Sequence, residues 1–133
     1  MSAAKTQASA RELTDRVEAY FASIDSSDIA ATLATMAPDC VIEYVTDGSR
    51  FEGRDEGVKD YFEKRNRNVL KSWHGNFWHV ADPSNARVTT RFDVRRTDRG
   101  AAERTGDNVN IFEFEGSRIR RIAVWRGAGR QSR

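Results

Sequence analysis

Residues 86–125, ARVTTRFDVRRTDRGAAERTGDNVNIFEFEGSRIRRIAVW, decide the fold. Apolar and polar side chains alternate here with period two, the pattern of a sheet with one buried and one wet face. Strands are expected near 86–97, 102–115 and 118–125, divided by Asp98-Arg99-Gly100 and Glu115-Gly116-Ser117. Upstream, residues 72–81 carry the same alternation up to Asp82-Pro83-Ser84-Asn85, which makes a four-stranded antiparallel meander.

The first half of the chain has a different period. Leu13, Val17, Tyr20, Phe21 and Ile24 form one apolar stripe at helical spacing, starting from about Ser9 and broken by Asp25-Ser26-Ser27. Asp28 is a cap for a second helix over 29–37, with Ile29, Leu33 and Met36 inward and Pro38 as its stop. Residues 40–46 predict a strand, Asp47-Gly48 a turn, and 50–52 a short return strand. After Gly53, Asp55 is placed to cap a third helix whose face is Val58, Tyr61, Phe62, Arg65 and Val69. Helices early and strands late predict an α+β domain over 9–126, a curved antiparallel sheet wrapped around three helices. Residues 1–8 are expected to be disordered and 127–133 to form a flexible tail.

Composition narrows the function classes. A chain of 133 residues can close one core. Its 13 aromatics, spread from Tyr20 to Trp125, are incompatible with a disordered polymer. No apolar run approaches the roughly 18 residues of a membrane span, and the start MSAAKTQASARE has no signal-peptide core. The expectation is a soluble, cytoplasmic protein with no membrane partner. Cys40 is the single cysteine, so neither an internal disulfide nor a cysteine zinc cluster can form.

The net charge of +2 divides unevenly: residues 1–63 sum to −7 and residues 64–133 to +9, with 18 Arg among the 22 basic residues. A basic half invites a nucleic-acid reading. Here the charges alternate with apolar residues, and the aromatics lie in the apolar period instead of interleaving with the arginines as stacking platforms would. The wet face of a sheet accounts for the pattern with no nucleic-acid partner. Such a partner would reveal itself by a steep salt dependence of binding.

Two histidines exist, His74 and His79, both on the first long strand. Five residues apart on a regular strand they face opposite ways, His79 outward, so they make no shared metal site. Neither a metal nor a cofactor is expected. Cys40 has the strand parity of Tyr44 and could share its surroundings.

Four stretches carry a family resemblance: Tyr20-Phe21-Ala22-Ser23-Ile24-Asp25-Ser26-Ser27-Asp28-Ile29, Ala37-Pro38-Asp39-Cys40-Val41-Ile42, Phe51-Glu52-Gly53-Arg54, and Phe112-Glu113-Phe114-Glu115-Gly116-Ser117-Arg118-Ile119. With the element order, they resemble the SnoaL-like members of the nuclear-transport-factor-2-like superfamily. The resemblance implies a cone-shaped α+β barrel, often a homodimer packed through its sheets, and a hydrophobic small-molecule substrate.

A narrower resemblance concerns side chains facing the cone. Asp25, Tyr44 and His74 stand where scytalone dehydratase and the bile-acid 7α-dehydratases carry a catalytic Asp, Tyr and His. The carrying segments are Ala37-Pro38 to Ile42-Glu43-Tyr44 and Leu70-Lys71-Ser72-Trp73-His74. Tyr20 is similar to a further tyrosine of the bile-acid enzymes, and Asp25 with His74 resembles the dyad of lindane dehydrochlorinase. Either Asn108 or Asn110 answers to the asparagine of scytalone dehydratase, and Asn108, Asn110, Phe112 and Trp125 are expected to contact substrate. Ketosteroid isomerase places carboxylates near the positions of Tyr44 and Asn110, where this chain has none. The Asp-Arg-Asp set of epoxide hydrolases could be drawn only from Asp93, Arg91 and Asp107.

These residues suit elimination of water beside a carbonyl. That reaction needs a base for the α-proton and an acid for the departing hydroxyl, and histidine can serve as both near neutral pH. The expected function is a cofactor-independent, dehydratase-like lyase using a His74–Asp25 dyad with Tyr20 and Tyr44. The alternatives are an isomerase or polyketide-cyclase-like enzyme, or a non-catalytic binder of small ligands.

Overall fold

Helix α1 (Ala10–Asp25) opens on a reciprocal capping box. The Glu12 N–H donates to Ser9 Oγ at 3.1 Å, and the Ser9 N–H donates to the Glu12 carboxylate at 3.3 Å. The computed structural model describes residues 7–128. Most of the two terminal segments expected to be unstructured therefore lies outside the described residues. Of the part inside, Ala8 packs against the core and Ala128 bridges to Gly106.

Helix α2 (Ile29–Ala34) is capped by Asp28, whose Oδ1 accepts the Ala31 N–H at 3.0 Å. It stops three residues short of its expected end. Met36 instead begins strand β1 (Met36–Tyr44), is fully buried, and pairs with Ile119. Pro38 biases the residue before it toward extended backbone and so favours the strand. It is tolerated there because the ladder is irregular between Met36 and Val41, where its missing N–H leaves no bond unmade. A turn with Gly48 at φ 73° leads to β2 (Ser49–Glu52). A wide helical turn over Gly53–Val58 then precedes α3 (Lys59–Asn68), so the third helix starts later than Asp55. Strands β3 (Val69–Asp82), β4 (Arg87–Asp98), β5 (Arg104–Glu115) and β6 (Arg118–Trp125) form the expected meander.

The sheet order is β2-β1-β6-β5-β4-β3. All pairs are antiparallel except β1–β6, a parallel pairing that the short alternating segments do not announce. The sheet curves without closing, with β2 and β3 as edges, and it forms the cone of an α+β domain. Leu13, Val17, Tyr20, Phe21 and Ile24 of α1 bury against Val88, Phe92, Phe112 and Ile122 of the concave face. The convex face carries an alternating charge ribbon: Arg87 to Glu113 at 3.4 Å, Glu113 to Arg121 at 3.7 Å, Arg121 to Glu43 at 2.8 Å, and Glu43 to Arg50 at 3.9 Å. Much of the basic half is thus neutralised strand to strand within the chain. Among the described residues no helix is long and apolar enough to cross a membrane.

Strand β3 holds a bulge. His74 pairs with Val94 and Trp78 with Arg91, so two residues, Asn76 and Phe77, oppose Phe92 alone, and Asn76 takes φ 54°. The extra residue reverses the parity expected for His79. It faces inward, with Nε2 2.9 Å from Glu18 of α1 and its ring stacked on Phe77 at 5.4 Å.

Candidate active site

The concave face and helices α1 and α3 enclose an inner chamber of about 60 Å³. Its wall is aromatic and aliphatic, from Phe21, Ile24, Phe62, Phe92, Val94 and Val124. Its polar groups come from Tyr20, Tyr44, Tyr61, Arg65, His74, Arg96, Asn108, Asn110 and Arg126. Among the described residues no carboxylate lines it. A wider vestibule of about 460 Å³ shares Tyr61, Arg65, Arg96 and Arg126 with the chamber and adds Phe51, Asp60, Lys64 and Asn68.

His74 reaches the chamber because it is an inward residue of β3, two positions after Ser72. Asp25, the last residue of α1, stands behind it and not in the chamber wall. Asp25 Oδ1 lies 2.6 Å from His74 Nδ1, and Oδ2 accepts the His74 backbone N–H at 2.9 Å. Ser72 Oγ donates to Oδ1 at 2.9 Å. The carboxylate therefore fixes both the backbone and the ring of His74. In the neutral tautomer whose Nδ1–H donates to Asp25, the other ring nitrogen, Nε2, is the acceptor. Nε2 has no hydrogen-bond partner among the described residues. Phe21 stacks on the imidazole at 4.9 Å and Phe92 lies at 5.8 Å, which holds the ring plane.

Tyr20 lies on the apolar stripe of α1 and is 4% exposed, and its hydroxyl has no hydrogen-bond partner among the described residues. The Tyr44 and Tyr61 hydroxyls meet at 2.5 Å. One of the two donates to the other, so one O–H proton of the pair remains for a third group. Burial pushes the phenols of Tyr20 and Tyr44 well above the ordinary tyrosine value, so both stay protonated donors. Arg126 sits 4.5 Å over the Tyr44 ring and pairs with Asp47 at 2.8 Å.

Asn108 and Asn110, with equal parity on β5, both line the chamber. The Asn108 Oδ1 accepts the Gly127 N–H at 3.2 Å, whereas the buried Oδ1 of Asn110 has no partner. The other two expected contacts are not in the wall. Phe112 is fully buried in the core, edge-on to Tyr20 and Phe21, and Trp125 stands on the convex face at 38% exposure. Parity puts Trp125 on the outer row, where it pairs with Val109, whereas Phe112 shares the inward parity of Asn108 and Asn110 but its ring is covered by α1. Cys40 is also sealed in the core, and its thiol is pushed up to about 11 by burial. Arg91 and Asp107, joined by two hydrogen bonds at 3.0 and 2.6 Å, lie on the convex face with Asp93, away from the chamber. That position rules out the Asp-Arg-Asp arrangement inside the cone.

Three chamber or support residues were not singled out by the sequence reading: Ser72, Tyr61 and Arg65. Ser72 has the parity of His74 two residues on. Tyr61 and Arg65 were visible only as members of the α3 stripe, where a charged residue in an apolar face was the one available signal. Among the described residues no group of three His, Cys, Asp or Glu side chains could hold a metal ion.

The arrangement offers a ring nitrogen poised as proton acceptor, protonated phenols as donors, and an apolar enclosure that strengthens both. Solved structures share its scaffold. An inferred polyketide cyclase of Xanthomonas campestris pv. campestris is 21% identical, with 87% of this chain and 90% of that one covered and a TM-score of 0.75. An LEH-like epoxide hydrolase of M. tuberculosis is 20% identical, covering 88% and 84%, with a TM-score of 0.76. An inferred isomerase of Bacillus subtilis is 16% identical, covering 88% and 87%, with a TM-score of 0.77. At these identities the likeness is one of fold, and no curated protein matches the sequence. The SnoaL-like domain pattern matches residues 17–122, which include Asp25, His74 and most of the chamber wall, and the chain belongs to the SnoaL-like domain family.

Proposed function

We propose that this protein is a small cofactor-independent lyase, dehydratase-like, that removes a proton beside the carbonyl of a hydrophobic alcohol. The observation that carries the reading is the Asp25–His74 contact, in which one carboxylate accepts from the histidine ring, its own backbone and Ser72. His74 Nε2 takes the α-proton, and Asp25 stabilises the imidazolium that results. Tyr20 and the free proton of the Tyr44–Tyr61 pair donate to the carbonyl oxygen as enolate charge develops. Collapse of the enolate breaks the β C–O bond. His74 returns its proton to the departing hydroxyl, so water leaves and a C=C bond remains. Asn110 Oδ1 is an acceptor suited to orient that hydroxyl.

An isomerase or cyclase shares the first step and differs in where the proton or the carbanion goes next. The solved structures of the same fold described as a cyclase and an isomerase favour it as the second reading. A panel of cyclic β-hydroxyketones tests the choice, with enone formation followed by ultraviolet absorbance and exchange of the α-proton followed by NMR in D₂O. Wild type should do both. His74→Ala and Asp25→Asn should each lower the rate by about 10²–10⁴, the usual contribution of a general base. Exchange without enone favours the isomerase reading. Equal rates in wild type and His74→Ala would sink the dyad and leave a binding domain.

A further inference from the structure

Arg65 is 8% exposed and lines both the chamber and the vestibule, and its side chain has no hydrogen bond or ion pair among the described residues. A guanidinium that faces an enclosed cavity with no hydrogen-bonded anion leaves its five donors unused, which makes the site one that an anion would complete. The arginines nearest to it are already engaged with carboxylates. Asp98 is close enough to sense Arg65, but its oxygens go to Arg96 at 2.7 Å and Arg104 at 3.1 Å. Arg126 is paired with Asp47. In the vestibule Lys64 and Asp60 offset one another in sign, and Asp25 is committed to His74.

We propose that Arg65 is the receptor for a carboxylate on the substrate, held where the chamber meets the vestibule. The acid group sits at Arg65, the reacting carbon in the 60 Å³ chamber beside His74, and the apolar remainder in the vestibule near Phe51. A planar carboxylate matches the guanidinium fork through two parallel N–H···O bonds. A phosphate dianion suits the site less well, since the neighbouring arginines are paired already and the chamber is small. The substrate class is then a hydrophobic carbonyl-containing acid. This rests on the chamber being the functional site, while the binding itself needs no turnover.

The test is calorimetric titration with benzoate, its neutral isostere benzamide, and inorganic phosphate. Wild type should prefer benzoate over benzamide by about tenfold or more, the scale of a charge-assisted hydrogen-bond pair. Arg65→Gln should erase that preference, Arg65→Lys should keep part of it, and Arg120→Gln, on the exposed surface of β6, should leave it intact. Equal affinity for benzoate and benzamide, binding of neither at millimolar concentration, or tighter binding of phosphate would each overturn the proposal. So would an Arg65→Gln protein that keeps the preference. The wild-type comparison decides even where Arg65→Gln does not fold. A carboxylate preference without proton exchange refutes the dyad alone, and exchange without the preference refutes this inference alone.

Discussion

A carboxylate at the C-terminal end of a helix faces the negative pole of the helix dipole, an unfavourable place by local physics. Asp25 occupies it because three donors from β3, around Ser72 and His74, offset that cost. Tertiary structure thus converts what the sequence presents as a helix stop into the anchor of a histidine. Cys40 shows the opposite case, a chemically capable residue with nothing to act on. Fully buried, with its thiol raised from 9.0 to about 11 by burial, it should resist a thiol reagent at pH 8 in the folded protein and react at once in denaturant. Because its folded value lies above its unfolded value, its contribution to stability is whole below pH 9 and is lost progressively as pH rises from 9 to 11. Urea unfolding across that window should decline more steeply for wild type than for Cys40→Ala. Parallel curves for the two would refute the burial effect.

At the level of elements, the bulge in β3 does most to separate expectation from outcome. The alternation of residues 72–81 fixed the existence of the strand and its partner β4, while the inward His74 was implied by the family resemblance. It could not reveal that Asn76 is an extra residue, since one irregular φ leaves no mark on hydrophobic periodicity. That residue turns His79 inward against Glu18 and leaves Trp78 outside at 68% exposure. Asparagine tolerates left-handed backbone better than branched residues do. Asn76→Val should therefore cost about 1–2 kcal/mol in chemical denaturation, while Asn76→Gly should be near neutral or stabilising. Equal losses in both variants would mean that side-chain contacts, such as the 2.8 Å bond from Asn76 to Asp93, matter more than the backbone. Helix α2 was over-extended for a related reason. Propensity carries a helix through Met36, but pairing with Ile119 buries that residue and wins.

For the whole molecule, the convex face combines the charge ribbon with exposed Trp78, Val80 and Trp125, at 68%, 64% and 38%. We propose that this face joins two copies of the chain. Sedimentation should report a dimer, and Trp78→Asp should weaken it by about 2 kcal/mol or more, roughly thirtyfold in dissociation constant. A monomeric wild type at micromolar concentration would refute it. The strongly uneven charge of the two halves follows the same layout. Helix surfaces carry the acidic half, and strand faces, where arginines meet Glu43 and Glu113, carry much of the basic one. By itself the sequence determined the α+β class, the helical and strand periods, the start of the first helix near Ser9 and the cap at Asp28, because each depends on residues near in the chain; the inward position of His74 was implied by the family resemblance. Only the tertiary structure decided that Asp25 meets His74, that Tyr61 meets Tyr44, that the Arg65 side chain faces the chamber without a hydrogen bond, and that Phe112 and Trp125 do not line it. Those outcomes depend on helix placement, strand pairing and one bulge, which are set by the global minimum of packing and hydrogen bonding and have no local signature.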